Sequence, residues 1–112
     1  MVTMVGVLRR FGRIGRRLAW NFEYRSGADF AGARSPVLLD LLAGLLPGRR
    51  VVELACGDGS LAEALRDLGP AAYAGYDISS VAIDRAVRRQ LPGMAFACAD
   101  MESWSPTAPF DL

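Results

Sequence analysis

At 112 residues the chain has room for one domain, and a composition 52% hydrophobic and 22% charged is globular rather than disordered. A formal charge of +1 excludes a general electrostatic attraction to nucleic acid or to an anionic membrane. All 13 basic residues are Arg and there is no His, so proton transfer near neutral pH falls to carboxylates, Tyr, Cys or the substrate itself.

Residues 1–21 carry five Arg and no acid, with Leu8, Phe11, Ile14 and Leu18 at helical spacing. They predict a basic amphipathic helix weakened by Gly6, Gly12 and Gly15, its Arg face in solvent and its apolar stripe inward. The functional alternatives are a lid over a cleft, or a contact with anionic substrate or RNA. A transit peptide would be richer in Ser. No segment has the length and purity of a membrane span, and cytoplasm is the expected location.

Residues 20–29 read as a short aromatic segment that becomes a turn. The aromatics Trp20, Phe22, Tyr24 and Phe30 are expected to pack locally rather than to hold a ligand. Ser35-Pro36 opens a helix in which Leu38, Leu39, Leu41, Leu42, Leu45 and Leu46 form a broad core-facing side, stopped at Pro47-Gly48.

Val51 to Leu54 is a short apolar run suited to a buried parallel strand, broken by Cys56-Gly57-Asp58-Gly59. The chain restarts as a helix whose Ser60 and Glu63 have the spacing of a capping box. Leu61, Leu65 and Leu68 share a face before Gly69-Pro70. A second strand ends at Asp77, and Ser79 and Ser80 cap a helix with Ala82, Ile83, Ala86 and Val87 inward. Arg85, Arg88 and Arg89 near its end suit the helix dipole. Pro92-Gly93 leads to a third strand ending at Cys98 and followed by Asp100, and Phe110-Asp111-Leu112 begins a fourth. This alternation implies right-handed crossovers and a parallel sheet. Cys56 and Cys98, about two strand spacings or roughly 10 Å apart, are too distant for a disulfide, which tolerates about 7 Å. Both are expected to be free and buried.

A strand, a glycine turn and a helix start form a nucleotide site in α/β sheets. Gly57, Gly59 and Ala62 satisfy a dinucleotide fingerprint, with Asp77 twenty residues beyond Gly57. On spacing alone, an NAD-binding oxidoreductase remains open. Other segments point elsewhere. Glu53-Leu54-Ala55-Cys56-Gly57-Asp58-Gly59, Tyr76-Asp77-Ile78-Ser79, Cys98-Ala99-Asp100-Met101 and Pro109-Phe110-Asp111-Leu112 together resemble the class I S-adenosylmethionine-dependent methyltransferases. Tyr24-Arg25-Ser26-Gly27 is similar to a segment that some members place before the first strand.

The resemblance implies an α/β, Rossmann-like parallel sheet with flanking helices, preceded by N-terminal helices. The sheet is incomplete, with about three full strands and the start of a fourth. Residues 1–34 would form a basic and aromatic N-terminal segment, a possible lid, and residues 35–112 a partial methyltransferase domain. It implies S-adenosylmethionine as cofactor, a small-molecule substrate, and cofactor contacts from Glu53, Ala55, Cys56, Gly57, Asp58, Gly59, Asp77, Ile78, Asp100 and Met101. In that family Glu53 would lie near the methionine amino group, a cation that offsets the cost of burying an acid. Asp77 would accept from the ribose hydroxyls, Ile78 would pack on the adenine face, and Asp100 with Met101 would meet the adenine edge. Ala55 stands where the family has its first glycine, and is accommodated if its φ stays negative.

The family's substrate pocket and any base come after the fourth strand, so no catalytic residue is assigned and no metal is expected. A catalytically silent remnant is the third reading. An edge left open beside the first strand would favour self-association.

Overall fold

A computed structural model describes residues 12–27 and 35–112. The expectations for Leu8, Phe11, Phe30 and the turn at residues 28–29 lie outside those residues. The described elements run α1 (Arg13–Arg25), α2 (Pro36–Leu45), β1 (Arg50–Leu54), α3 (Ser60–Arg66), β2 (Ala72–Asp77), α4 (Ser80–Arg88) and β3 (Met94–Cys98).

The three strands form one parallel sheet in the order β1-β2-β3. Val51 lies opposite Tyr73, which lies opposite Met94; Glu53, Gly75 and Phe96 are aligned in the next row on the same face. That face carries the core, in which Val51 and Tyr73 pack with Leu46, Ala62, Leu65 and Leu91, edged by Met94 and Phe96. The opposite face is more open: Leu54 is 45% exposed, and Trp104 tilts over Tyr76 at 5.4 Å between ring centres. The anticipated fourth strand begins on the outer edge of β1. There Asp111 N–H donates to the Arg50 carbonyl at 2.7 Å and Val52 N–H to the Leu112 carbonyl at 3.0 Å. The Asp111 carboxylate also receives Arg50 N–H at 2.8 Å. The incomplete Rossmann-like sheet is therefore observed with its expected strand order.

Several local expectations change. The aromatic part of the segment is helical, since α1 continues through Trp20 and Tyr24 to Arg25, and the expected turn follows at Ser26-Gly27. Its apolar stripe does not face inward, since Ile14, Leu18 and Phe22 are 74%, 62% and 69% exposed. The polar and aromatic face points to the protein instead, because α1 packs on α4, with Asn21 donating to Ser80 of that helix and Arg17 to the Ile78 carbonyl just before it. Helix α2 is peripheral. Val37, Leu41 and Leu45 are exposed, and only Leu39, Leu42 and the terminal Leu46 reach the core.

At α3 the N-cap is Gly59, one residue earlier than a capping box at Ser60 requires. Asp58 Oδ1 accepts Ser60 N–H at 3.1 Å, and Glu63 turns to Arg89. At α4 the expectation holds, with Ser79 Oγ accepting Ala82 N–H at 3.1 Å. Ala82, Ile83 and Ala86 are buried, but Val87 lies on the outer side of the helix and is 56% exposed. Both cysteines are free; Cys98, at the open end of the edge strand β3, is exposed rather than buried.

Candidate cofactor cleft

All three strands end at one side of the sheet, and a cleft of about 410 Å³ opens there, within the roughly 300–1,000 Å³ usual for small-molecule sites. Its lining includes Glu53, Ala55, Cys56, Gly57, Asp58, Asp77, Ile78, Asp100 and Met101, nine of the ten positions expected from the sequence. Gly59 is the exception. It is buried against α4, at φ +81°, where an added Cβ would stand 3.1 Å from Ala86 Cβ. Its place in the motif comes from packing and helix entry.

The loop is tied down from within. Cys56 N–H donates to the Tyr76 carbonyl at 3.0 Å, Gly57 N–H to Asp77 Oδ2 at 2.9 Å and Gly59 N–H to the Cys56 carbonyl at 3.3 Å. Arg89 grips it from outside, with Nε donating to the Asp58 carbonyl at 2.6 Å, Nη2 to Asp58 Oδ2 at 3.2 Å and Nη1 to Glu63 Oε2 at 2.7 Å. Arg89 thus serves the loop rather than only the dipole of α4. Four backbone donors of this turn, those of Cys56, Gly57, Gly59 and Ser60, already have acceptors inside the protein. A pyrophosphate would need such donors. The carboxyl groups of Glu53, Asp58 and Asp77 line this end of the cleft instead.

Asp77 is buried, and its other oxygen, Oδ1, accepts Ser79 N–H at 2.9 Å. A carboxylate has about four acceptor directions, so it can hold the loop and still receive ligand hydroxyls. Asp100 Oδ1 accepts Glu102 N–H at 3.1 Å, while Oδ2 pairs with Arg16. Burial alone would raise the Asp100 pKa, but the Glu102 N–H and the Arg16 guanidinium outweigh it and hold the carboxyl below its ordinary range.

Glu53 lies at the floor. Its Oε2 accepts the Tyr73 hydroxyl at 2.8 Å, and no cation pairs with it among the described residues. Burial lifts its pKa from 4.5 to about 7; Tyr73 opposes the shift and nearby Asp77 adds to it. The folded protein therefore keeps a proton that the unfolded chain loses. Stability from neutral Glu53 is full below pH 4.5 and fades as pH rises to about 7. Glu53→Gln should raise the melting temperature at about pH 8 and change it little near pH 4.5, read by thermal scans across pH.

Ala55 does not keep a negative φ: it sits at +60°. The turn between Leu54 and the Cys56–Tyr76 hydrogen bond imposes a left-handed residue, and a Cβ there costs about 1–2 kcal/mol. Ala55→Gly relieves that strain while loosening the unfolded chain. We expect a net stabilisation of about 0.5–1 kcal/mol, measured by chemical denaturation.

Helix α1 supplies a further wall, which includes Tyr24 of the segment preceding the first strand. Arg16, Trp20 and Tyr24, spaced four apart, line the cleft opposite the loop. The Tyr24 hydroxyl lies over Gly57 so closely that a Cβ on that glycine would be 2.6 Å from it. Burial first, then Asp77 and Asp58, push the Tyr24 pKa far up, so its phenol stays neutral. Ser60, Leu61 and Glu102 complete the lining.

A parallel sheet with a cleft beyond its strand ends is the architecture of Rossmann-like nucleotide-cofactor domains. Residues 51–112 match the family described as a methyltransferase domain. Among curated proteins, trans-aconitate 2-methyltransferase of Rhizobium etli is 39% identical over 98 residues, covering 85% of this chain and 37% of the relative. The S-adenosylmethionine-dependent methyltransferase structure from Mesorhizobium loti is 29% identical at a TM-score of 0.59, over 77% of this chain and 38% of that one. Magnesium protoporphyrin IX methyltransferase of Synechocystis, solved with bound SAH, is 27% identical at a TM-score of 0.55, over 62% and 35% respectively. The chain belongs to the class I S-adenosylmethionine-dependent methyltransferases. It spans 22–37% of the length of the curated relatives compared. No described helix is long and apolar enough to cross a membrane.

Proposed function

We propose that the cleft holds S-adenosylmethionine and that the protein of which this fold is part methylates a small molecule. The observation that carries this reading is the acidic, internally bonded loop end: Glu53 without a cation, beside a turn whose N–H groups are largely engaged. Such a site suits a positively charged tail and offers little to a pyrophosphate. The remaining lining fits the rest of the molecule, with carboxylates Asp77 and Asp100 for hydroxyls and amines, and Leu61, Ile78 and Met101 for a flat apolar ring.

Glu53 would receive the tail ammonium, and Ala55, Cys56, Gly57 and Asp58 would line its path, with Gly59 holding the turn in shape. Asp77 would accept from the ribose, Ile78 would support the adenine face, and Asp100 with Met101 would border its edge. When bound, the cofactor supplies an electrophilic sulfonium methyl group. The protein's part is to position, orient and exclude water. Residues 1–34 would act as a lid through α1, and residues 35–112 as the cofactor-binding part. The trans-aconitate 2-methyltransferase relatives make a small polycarboxylate the first acceptor to assay. The free thiols of Cys56 and Cys98 accord with a reducing, cytoplasmic location.

Trp20 lines the cleft and offers a fluorescence probe of its occupancy. Titration with S-adenosylmethionine should change its fluorescence saturably, and NAD should not. Saturable NAD binding with no response to S-adenosylmethionine would overturn the reading.

A further inference from the structure

Glu53 has a setting that a plain charge-pairing role does not require. Its partner in the next strand is Gly75, where a side chain would strike Tyr73 Oη at 2.9 Å and Cys56 Sγ at 3.0 Å. The missing side chain lets the Tyr73 hydroxyl reach Glu53 from within the sheet face, and brings the thiol of Cys56 beside both. On this side the carboxyl meets two neutral groups, the phenol and the thiol. Burial drives the Tyr73 phenol and the Cys56 thiol to pKa values far above neutrality.

The other titratable and charged groups around it are accounted for. Asp77, at the end of β2, accepts two backbone N–H groups. Tyr24 of α1 is neutral, and Cys98 of β3 is exposed with its pKa raised, first by burial. Asp58, on the loop, is paired with Arg89. Arg16 of α1 pairs with Asp100 and Glu102 at the other side of the cleft.

Resting on the cofactor reading above, we propose that Glu53, held by the Tyr73 hydroxyl, is a proton-exchanging specificity residue. It is a neutral acid in the free protein and gives up its proton when a ligand's tail ammonium enters. The Glu53 O–H bond breaks, the proton passes to the buffer, and the carboxylate left behind pairs with the ammonium while still accepting from Tyr73. The elevated Glu53 pKa places this exchange near neutrality. Ligands with an ammonium tail are therefore captured with proton release, and a neutral nucleoside thioether is not. The free protein thereby avoids holding an uncompensated buried anion, and the cleft selects for the complete amino-acid tail.

Isothermal titration of the whole chain near pH 6.5, in buffers of differing ionisation enthalpy, tests this with three probes: S-adenosylmethionine, S-adenosylhomocysteine and 5′-methylthioadenosine. The expected result is release of a fraction of a proton, approaching one, for the first two and none for the third. Affinity for the tailed ligands should rise up to tenfold per pH unit below about pH 7 and flatten above it. Glu53→Gln should abolish both effects. Tyr73→Phe removes a donor that favours the anion, so it should displace the pH profile upward. Circular dichroism establishes that each variant folds.

Equal proton release with all three probes overturns the proposal, as does release that survives in Glu53→Gln, or tailed ligands binding without release. If none of the three binds, the cofactor reading itself fails, and this inference with it.

Discussion

Asp77→Ala should unfold much of what the site is built on. In the native protein its buried carboxylate accepts Gly57 N–H and Ser79 N–H, both at 2.9 Å, and so joins the glycine loop to the entrance of α4. Removing it leaves two buried donors without acceptors, at about 1–3 kcal/mol each. The expected loss is about 2–5 kcal/mol, a large share of the roughly 5–15 kcal/mol that holds a domain of this size. A thermal scan should show a fall of about 10–20 °C. Asp77→Asn keeps one acceptor oxygen and should lose about half as much. In the variant that stays folded, affinity for S-adenosylmethionine should still fall by about a hundredfold, because charged hydrogen bonds to the ligand hydroxyls contribute about 1.5–3 kcal/mol each. Strong binding by a folded Asp77→Asn protein would show that Asp77 is structural only.

This dual use explains why the acids of the cleft were legible in the sequence. Each follows or ends an apolar run bounded by turn residues, so strand periodicity alone carries Glu53, Asp77 and Asp100 to one side of the sheet. The same runs made the strand order legible, including the start of a fourth strand at Asp111 and Leu112.

The backbone of Ala55 was not legible. Its left-handed φ is imposed by the turn, and nothing in an Ala side chain announces it. Helix faces failed for a related reason. Periodicity identifies an apolar stripe but not what lies beside it. In α1 the stripe of Ile14, Leu18 and Phe22 points outward, because Arg17 and Asn21 have hydrogen-bond partners at Ile78, Ser79 and the first turn of α4 that the apolar residues lack. The signal was present as a second stripe, Arg16, Trp20 and Tyr24, offset from the first. It was hidden because an aromatic cluster is more often packing than site.

Asn21→Ala tests whether that second stripe depends on one anchor. Asn21 is buried, and its Oδ1 accepts Ser79 Oγ–H at 2.7 Å and Val81 N–H at 3.3 Å, while its Nδ2 donates to Ser80 Oγ at 3.1 Å. Truncation should cost about 2–3 kcal/mol, from three hydrogen bonds at about 1 kcal/mol apiece. The loss should be local, since Arg16 and Arg17 then hold α1 through part-buried polar contacts to Asp100 and Ile78. Hydrogen exchange should accelerate across Arg13–Arg25 while β1 to β3 stay protected. If α1 closes the cleft, dissociation of S-adenosylmethionine should accelerate at least tenfold with little change in the sheet. Asn21→Asp separates the donor of this anchor from its acceptor and outline. It keeps the Oδ1 acceptor and places a negative charge at the N-terminus of α4, where the helix dipole favours it. Only the donor to Ser80 is lost, and that hydroxyl can rotate to donate instead. Near-normal exchange and dissociation in Asn21→Asp, with both accelerated in Asn21→Ala, would place the hold on α1 in what Asp retains, its outline and its acceptance from Ser79 and Val81, and not in the donor to Ser80. Equal damage in the two variants would place it in the amide donor to Ser80, since Asp keeps both the outline of Asn and its acceptor oxygen.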